Sequence, residues 1–161
     1  MKVLLFFIDG FGIGNNNEKI NPFLNAYTPT FDSICKASGA EIIKTDVSMK
    51  IEGLPQSATG QTAILTGKNA ADAMKRHKSG FPGPTLNNII SENNIFNKLS
   101  KYNMKTTFAN AYTKSYVEKV NNNKKKASVT TQCVLNSNNE FRYIEDIKNE
   151  NAIYQDFTNK L

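Results

Sequence analysis

A chain of 161 residues with 39% apolar and 21% charged side chains is long enough to bury one core and too apolar for a disordered protein, so a single soluble domain over residues 1–161 is expected. The formal charge of +6 permits weak attraction to anions, but the basic residues are scattered. The one run, Lys124–Lys126, has no interleaved aromatic residue on which a base could stack; it reads as a solvated loop, and nucleic acid is not an expected partner. No stretch approaches the roughly 18 apolar residues of a membrane span. The apolar run Val3–Ile8 is short, ends at Asp9 and lacks a small-residue cleavage site, so a cytoplasmic protein is expected.

In chain order, Lys2–Ile8 has the continuous Val, Leu, Phe and Ile content of a fully buried strand. Gly10, Gly12 and Gly14 open it into a loop that runs through Asn15–Asn17 to Pro22. A helix begins near Thr28-Pro29, carries Phe31, Ile34 and Cys35 on one face, and stops at Gly39. Glu41–Thr45 is a second candidate strand. After a long loop, a short helix is expected from about Gly60 to Thr66, ending at Gly67. The pattern between Ala70 and Gly83 is irregular and contains Arg76, His77 and Lys78. Pro84-Thr85 opens a helix with Leu86, Ile89 and Ile90, and another covers Ile95–Tyr102 with Phe96 and Leu99 inward. Lys105–Ala109 reads as a strand and Tyr112–Lys119 as a helix. Ala127–Leu135 suits either, and Tyr143–Lys148 forms a short helix before Asp156–Asn159. Strands alternating with helices predict an α/β fold, a mainly parallel sheet flanked by helices. The frequent asparagines suit loops and caps better than helix interiors. Cys35 and Cys133 have no metal-ligand partner at short spacing and read as small buried hydrophobes.

Three places could carry chemistry. Asp9 follows the first expected strand, and sites in α/β proteins gather at carboxyl ends of strands. A carboxylate there suits a hard or borderline cation, and the same Asp-Gly pair suits a simple turn. The glycine pattern that follows is not a dinucleotide fingerprint, because G-x-G-x-G leads into three asparagines rather than a helix. Ser57, Thr59, Gln61 and Thr62 cluster near a helix start, where backbone N–H groups favour anions. A hydroxyl there can be a nucleophile if a base or a metal lowers its pKa, or an ordinary cap. His77, flanked by Arg76 and Lys78, is the sole histidine, and one imidazole cannot build a metal site of three or four ligands. The cluster suits an anionic substrate or an exposed loop.

The strings VLLFFIDGFGIG, GLPQSATGQTAILTGKNA, HKSGFPGPTL, FANAY and DFTN resemble the amino-terminal part of metalloenzymes in the alkaline phosphatase superfamily. That group includes cofactor-independent phosphoglycerate mutase and phosphopentomutase. The nearest resemblance is to a bacterial branch known simply as metalloenzymes, whose members are much longer. The resemblance implies an alkaline-phosphatase-like fold, incomplete at the carboxyl end. It implies that Asp9 ligates one of two divalent metal ions, Mn or Zn, and that Thr62 is both nucleophile and metal ligand. The mutase segment begins Gly-Leu-Pro and has Gly-Asn-Ser at the nucleophile; here Gly53-Leu54-Pro55 leads to Gly60-Gln61-Thr62. Gln61 then faces a substrate oxygen, with Arg76 and His77 as further substrate-binding candidates.

The superfamily's other ligands, in Asp-x-x-x-His and Asp-His arrangements, have no counterpart after Thr62. The expected function is therefore the amino-terminal half of a metal-dependent phosphoric ester hydrolase. The alternatives are a phosphomutase-like enzyme, or an inert truncated or split chain that needs a partner half. A small phosphorylated substrate and a separately encoded carboxyl-terminal half are the expected partners, and this piece alone is expected to bind few metal ions or none.

Overall fold

The computed structural model describes residues 2–154 and divides the chain into two compact units, Met1–Asp46 and Val47–Leu161. The motif Asp156–Asn159 lies outside the described residues.

In the first unit, one helix, α1 (Pro29–Lys36), follows a 3-10 turn at Pro22–Asn25. Proline at the first helical position costs the helix no hydrogen bond, and the Asn21 side chain accepts from the Phe23 N–H to begin the 3-10 turn. Three rings hold this unit together: Phe11, Phe23 and Phe31 meet edge to face, with centroids 5.2–5.3 Å apart. Phe31 and Cys35 of α1 are half-buried, as expected, whereas Ile34 is exposed.

The second unit is helical. It comprises α2 (Ser57–Thr66), α3 (Ala70–Met74), α4 (Gly83–Asn93), α5 (Ile95–Ser100), α6 (Lys114–Asn121), α7 (Val129–Leu135) and α8 (Ile144–Lys148). Its core is the cluster Ala58, Ala70, Leu86, Ile90, Val129 and Cys133, where α2, α3, α4 and α7 meet. Leu86 with Ile90, and Val129 with Cys133, are pairs four residues apart, so each pair presents one helix face to this core. Asparagine serves as a cap, as its abundance suggests: Asn69 accepts from the Asp72 N–H at 3.0 Å, and Asn94 from the Asn97 N–H at 3.0 Å. Asn94 is fully buried, and its amide also donates to the carbonyls of Ile90 and Asn136. The region 127–135, open between strand and helix in the sequence, is a helix because Ser128 caps it by accepting from the Thr131 N–H.

Among the described residues the expected parallel sheet does not form. Of the described residues 42% are helical and 3% are in β pairings, and the only such pairings among them are isolated parallel bridges, Asn110 with Ile153 and Ala111 with Arg142. Lys2–Ile8, Glu41–Thr45 and Lys105–Ala109 contain no ladder. Strand preference is largely the gain from packing against paired neighbours, and an apolar run without a ladder partner is not a strand. Val3 is 77% exposed and Phe6 76%, so this run lacks the burial that its composition suggests. The alkaline-phosphatase-like α/β architecture is thus replaced by a helical one. No helix among the described residues is long and apolar enough to cross a membrane.

Candidate active site

Four of the five site residues read from the sequence lie in the second unit, on or beside α2. This helix starts at Ser57, a turn earlier than its sequence suggests. Gln56 makes no side-chain cap, so the first amides find a partner elsewhere: the Ala58 and Thr59 N–H groups both donate to the Lys78 carbonyl, at 3.0 and 3.3 Å. The clip is reciprocal, since the Lys78 N–H donates to the Thr59 hydroxyl oxygen at 3.3 Å. That hydroxyl in turn donates to the Gln56 carbonyl at 3.1 Å. At the far end, Gly67 takes the left-handed conformation, φ 70°, and its N–H donates to the Ala63 carbonyl.

Thr62 is therefore not at the helix start. It lies in the interior of α2, fully buried on the row Ala58, Thr62, Thr66 that faces the core. Its hydroxyl donates to the Ala58 carbonyl at 2.7 Å, and the Thr66 hydroxyl repeats the pattern on the Thr62 carbonyl at 2.6 Å. These bonds to the preceding turn let hydroxyls sit in an apolar contact without unmet polarity. Gln61, one position round the helix, is half-buried.

His77 is half-buried beside the loop that leads into α2. Its Nε2 lies 3.1 Å from the Ile51 carbonyl, which can only accept, so Nε2 carries a proton. Nδ1 is buried and has no hydrogen-bond partner. Gly53, with φ 111°, lies against the ring: a Cβ there would stand 3.6 Å from His77 Cδ2. Arg76 is exposed. The structure thus brings His77 and the Gly53–Ser57 loop together around the start of α2. The strap carrying His77 and Lys78 acts through a backbone carbonyl, which no side-chain pattern announces.

Asp9 belongs to the first unit. It occupies a tight turn in which the Phe11 N–H donates to the Ile8 carbonyl at 3.4 Å, with Gly10 at φ 72° in the third position. That conformation excludes most other residues there, and it leaves Asp9 exposed.

Among the described residues the donor set falls short of a metal site. Among the described residues no three His, Cys, Asp or Glu side chains gather as a metal site would need. The Thr62 hydroxyl is already committed to the Ala58 carbonyl. Burial pushes the Cys133 pKa up to about 12 and keeps the free thiol protonated.

A family model, that of the metalloenzyme superfamily, matches residues 1–155 and so spans both the Asp9 turn and α2. The chain belongs to the metalloenzyme superfamily. No curated protein and no solved structure matches it. Membership of this alkaline-phosphatase-like superfamily implies a metal-dependent enzyme that uses divalent ions. As a metalloenzyme chain, however, it does not supply a full set of ligands from the described residues.

Proposed function

We infer that this chain is the nucleophile-bearing part of a metal-dependent phosphoric ester hydrolase whose remaining metal ligands come from outside these 161 residues. The observation that carries the reading is the superfamily match over residues 1–155, which includes both Asp9 and the Gly60-Gln61-Thr62 segment. Asp9 is assigned as a metal ligand, Thr62 as nucleophile and metal ligand, and Gln61, Arg76 and His77 as contacts to a small phosphorylated substrate. The ions would be Mn or Zn, a pair of them in the assembled enzyme. The reaction transfers the phosphoryl group from the ester to the Thr62 oxygen and releases the alcohol with the hydroxyl proton. Water then restores the threonine and yields inorganic phosphate.

The small donor set and the committed Thr62 hydroxyl support a chain that is inert by itself. With an aryl phosphate and added Mn or Zn, the 161-residue chain is expected to show no turnover and only weak metal binding by calorimetry. Supplied with a segment carrying Asp-x-x-x-His and Asp-His, it is expected to release phosphate in a Thr62-dependent manner. Metal-dependent turnover by the chain alone, abolished in Thr62→Ala, would overturn the need for outside ligands. Turnover of the assembled enzyme that survives Thr62→Ala would overturn the nucleophile. Transfer to a second alcohol without release of phosphate would make it a mutase.

A further inference from the structure

We propose that the first turn of α2 is a latch with two states: wound, it sequesters the Thr62 hydroxyl, and unwound as far as Gly60, it releases it. Four features converge on this turn. The Thr62 hydroxyl is buried and donates to the Ala58 carbonyl, so the residue that hides it lies in the first turn itself. Gln56 gives that turn no side-chain cap, and its Ala58 and Thr59 amides both donate to one backbone carbonyl, that of Lys78, whose own N–H donates to the Thr59 hydroxyl. Gly60 marks its boundary, and glycine is the weakest helix residue after proline. The strap supplying the Lys78 carbonyl is flanked by left-handed backbone at Lys75 (φ 53°) and Gly80 (φ 67°), and His77 ties it to the Ile51 carbonyl.

The two states differ in defined bonds. Opening breaks the Ala58 and Thr59 amide bonds to Lys78, the Lys78 amide bond to the Thr59 hydroxyl, that hydroxyl's bond and the Gly60 amide bond to Gln56, and the Thr62 hydroxyl bond to Ala58, and it lifts Ala58 from the edge of the core cluster. What remains is a helix beginning near Gly60, with Thr62 in its first turn and no preceding helical carbonyl to occupy its hydroxyl. The sequence pattern alone places the helix start there, which is consistent with a first turn held by the strap rather than by its own propensity. The latch's consequence for catalysis rests on Thr62 being the nucleophile; its existence does not.

Amide hydrogen exchange on the 161-residue chain, read residue by residue by NMR as protection factors, tests the latch. The Gly60 amide is expected to be far less protected than that of Ile90 in the core. Gly60→Ala, whose added methyl would meet nothing within 4 Å, is expected to raise protection at position 60 about fivefold and leave Ile90 unchanged. His77→Ala is expected to lower protection at Ala58, Thr59 and Gly60 about fivefold, again without moving Ile90. Should His77→Ala fail to fold, Gly60→Ala decides the matter alone. Gly60 protected to the same degree as Ile90, or protection that ignores either folded variant, would overturn the latch. Turnover of the assembled enzyme that ignores Thr62 would refute the nucleophile and leave the exchange results standing.

Discussion

Thr62→Val separates the hydroxyl's chemistry from its place in the core. Thr62 is fully buried and its hydroxyl makes a single hydrogen bond, 2.7 Å to the Ala58 carbonyl. Valine replaces that hydroxyl with a methyl group of similar size, so little cavity is created, and both residues are β-branched, so the helix loses little propensity. The lost hydrogen bond costs a net of about 0.5–1.5 kcal/mol. The Ala58 carbonyl keeps its place in the helix ladder and is not orphaned. Because that net figure already includes the desolvation of the hydroxyl, Thr62→Val is expected to lie within about 1.5 kcal/mol below the parent. Thr62→Ala adds the loss of a buried methyl, about 1 kcal/mol more. Urea unfolding followed by far-UV circular dichroism measures both. In the assembled enzyme, the same valine variant is expected to lose turnover entirely. A loss of stability above about 3 kcal/mol would mean that the hydroxyl bond holds up the core, and the balance drawn here would be wrong.

Leu86→Ala, at the meeting of α2, α3, α4 and α7, is expected to cost about 2–5 kcal/mol and to lower the urea midpoint accordingly; a cost under about 1 kcal/mol would mean that this cluster is not the core. Stability is also expected to fall in alkali. Burial raises the Cys133 thiol from 9.0 to about 12, so below pH 9 both folded and unfolded chains hold the proton and the contribution is constant. Above pH 9 only the unfolded chain releases it, and stability drains until the folded thiol ionises near pH 12, at no more than about 1.4 kcal/mol per pH unit. Tyr112, also raised by burial above 10.0, adds to the fall in the same direction. The urea midpoint at pH 8, 9.5 and 10.5 is expected to drop less in Cys133→Ala than in the parent; equal slopes would refute the assignment. A thiol reagent at pH 8 is expected to label half-buried Cys35 well before Cys133.

The helices were largely legible in the sequence, and the missing sheet was not, for one physical reason. A helix closes its hydrogen bonds within a few residues, so Pro29, Leu86 with Ile90, and Gly67 announce α1, α4 and the end of α2 locally. A strand closes its bonds on a distant partner, and the apolar run Lys2–Ile8 carries no information about whether that partner exists. α3 escaped notice because five residues, Ala70–Met74, are too few to show a period; only the Asn69 cap and left-handed Lys75 bound it.

The candidate site is legible in the sequence only as residue types, and for a related reason. Residue types and spacing single out Asp9, Thr62 and His77, but whether each side chain is available depends on bonds that sequence does not record. The helix propensity of residues 57–60 is weak, and without the Lys78 carbonyl the Ala58 and Thr59 amides would lose the partner they have. That carbonyl sits 16 residues beyond Thr62, on a strap whose side chains suggest only charge. The same contact that extends α2 thus fixes the turn whose Ala58 carbonyl accepts from the Thr62 hydroxyl. If Thr62 is the nucleophile proposed above, its availability depends on the strap as much as on the helix, and a substitution at His77 that touches neither the hydroxyl nor Ala58 is expected to change it.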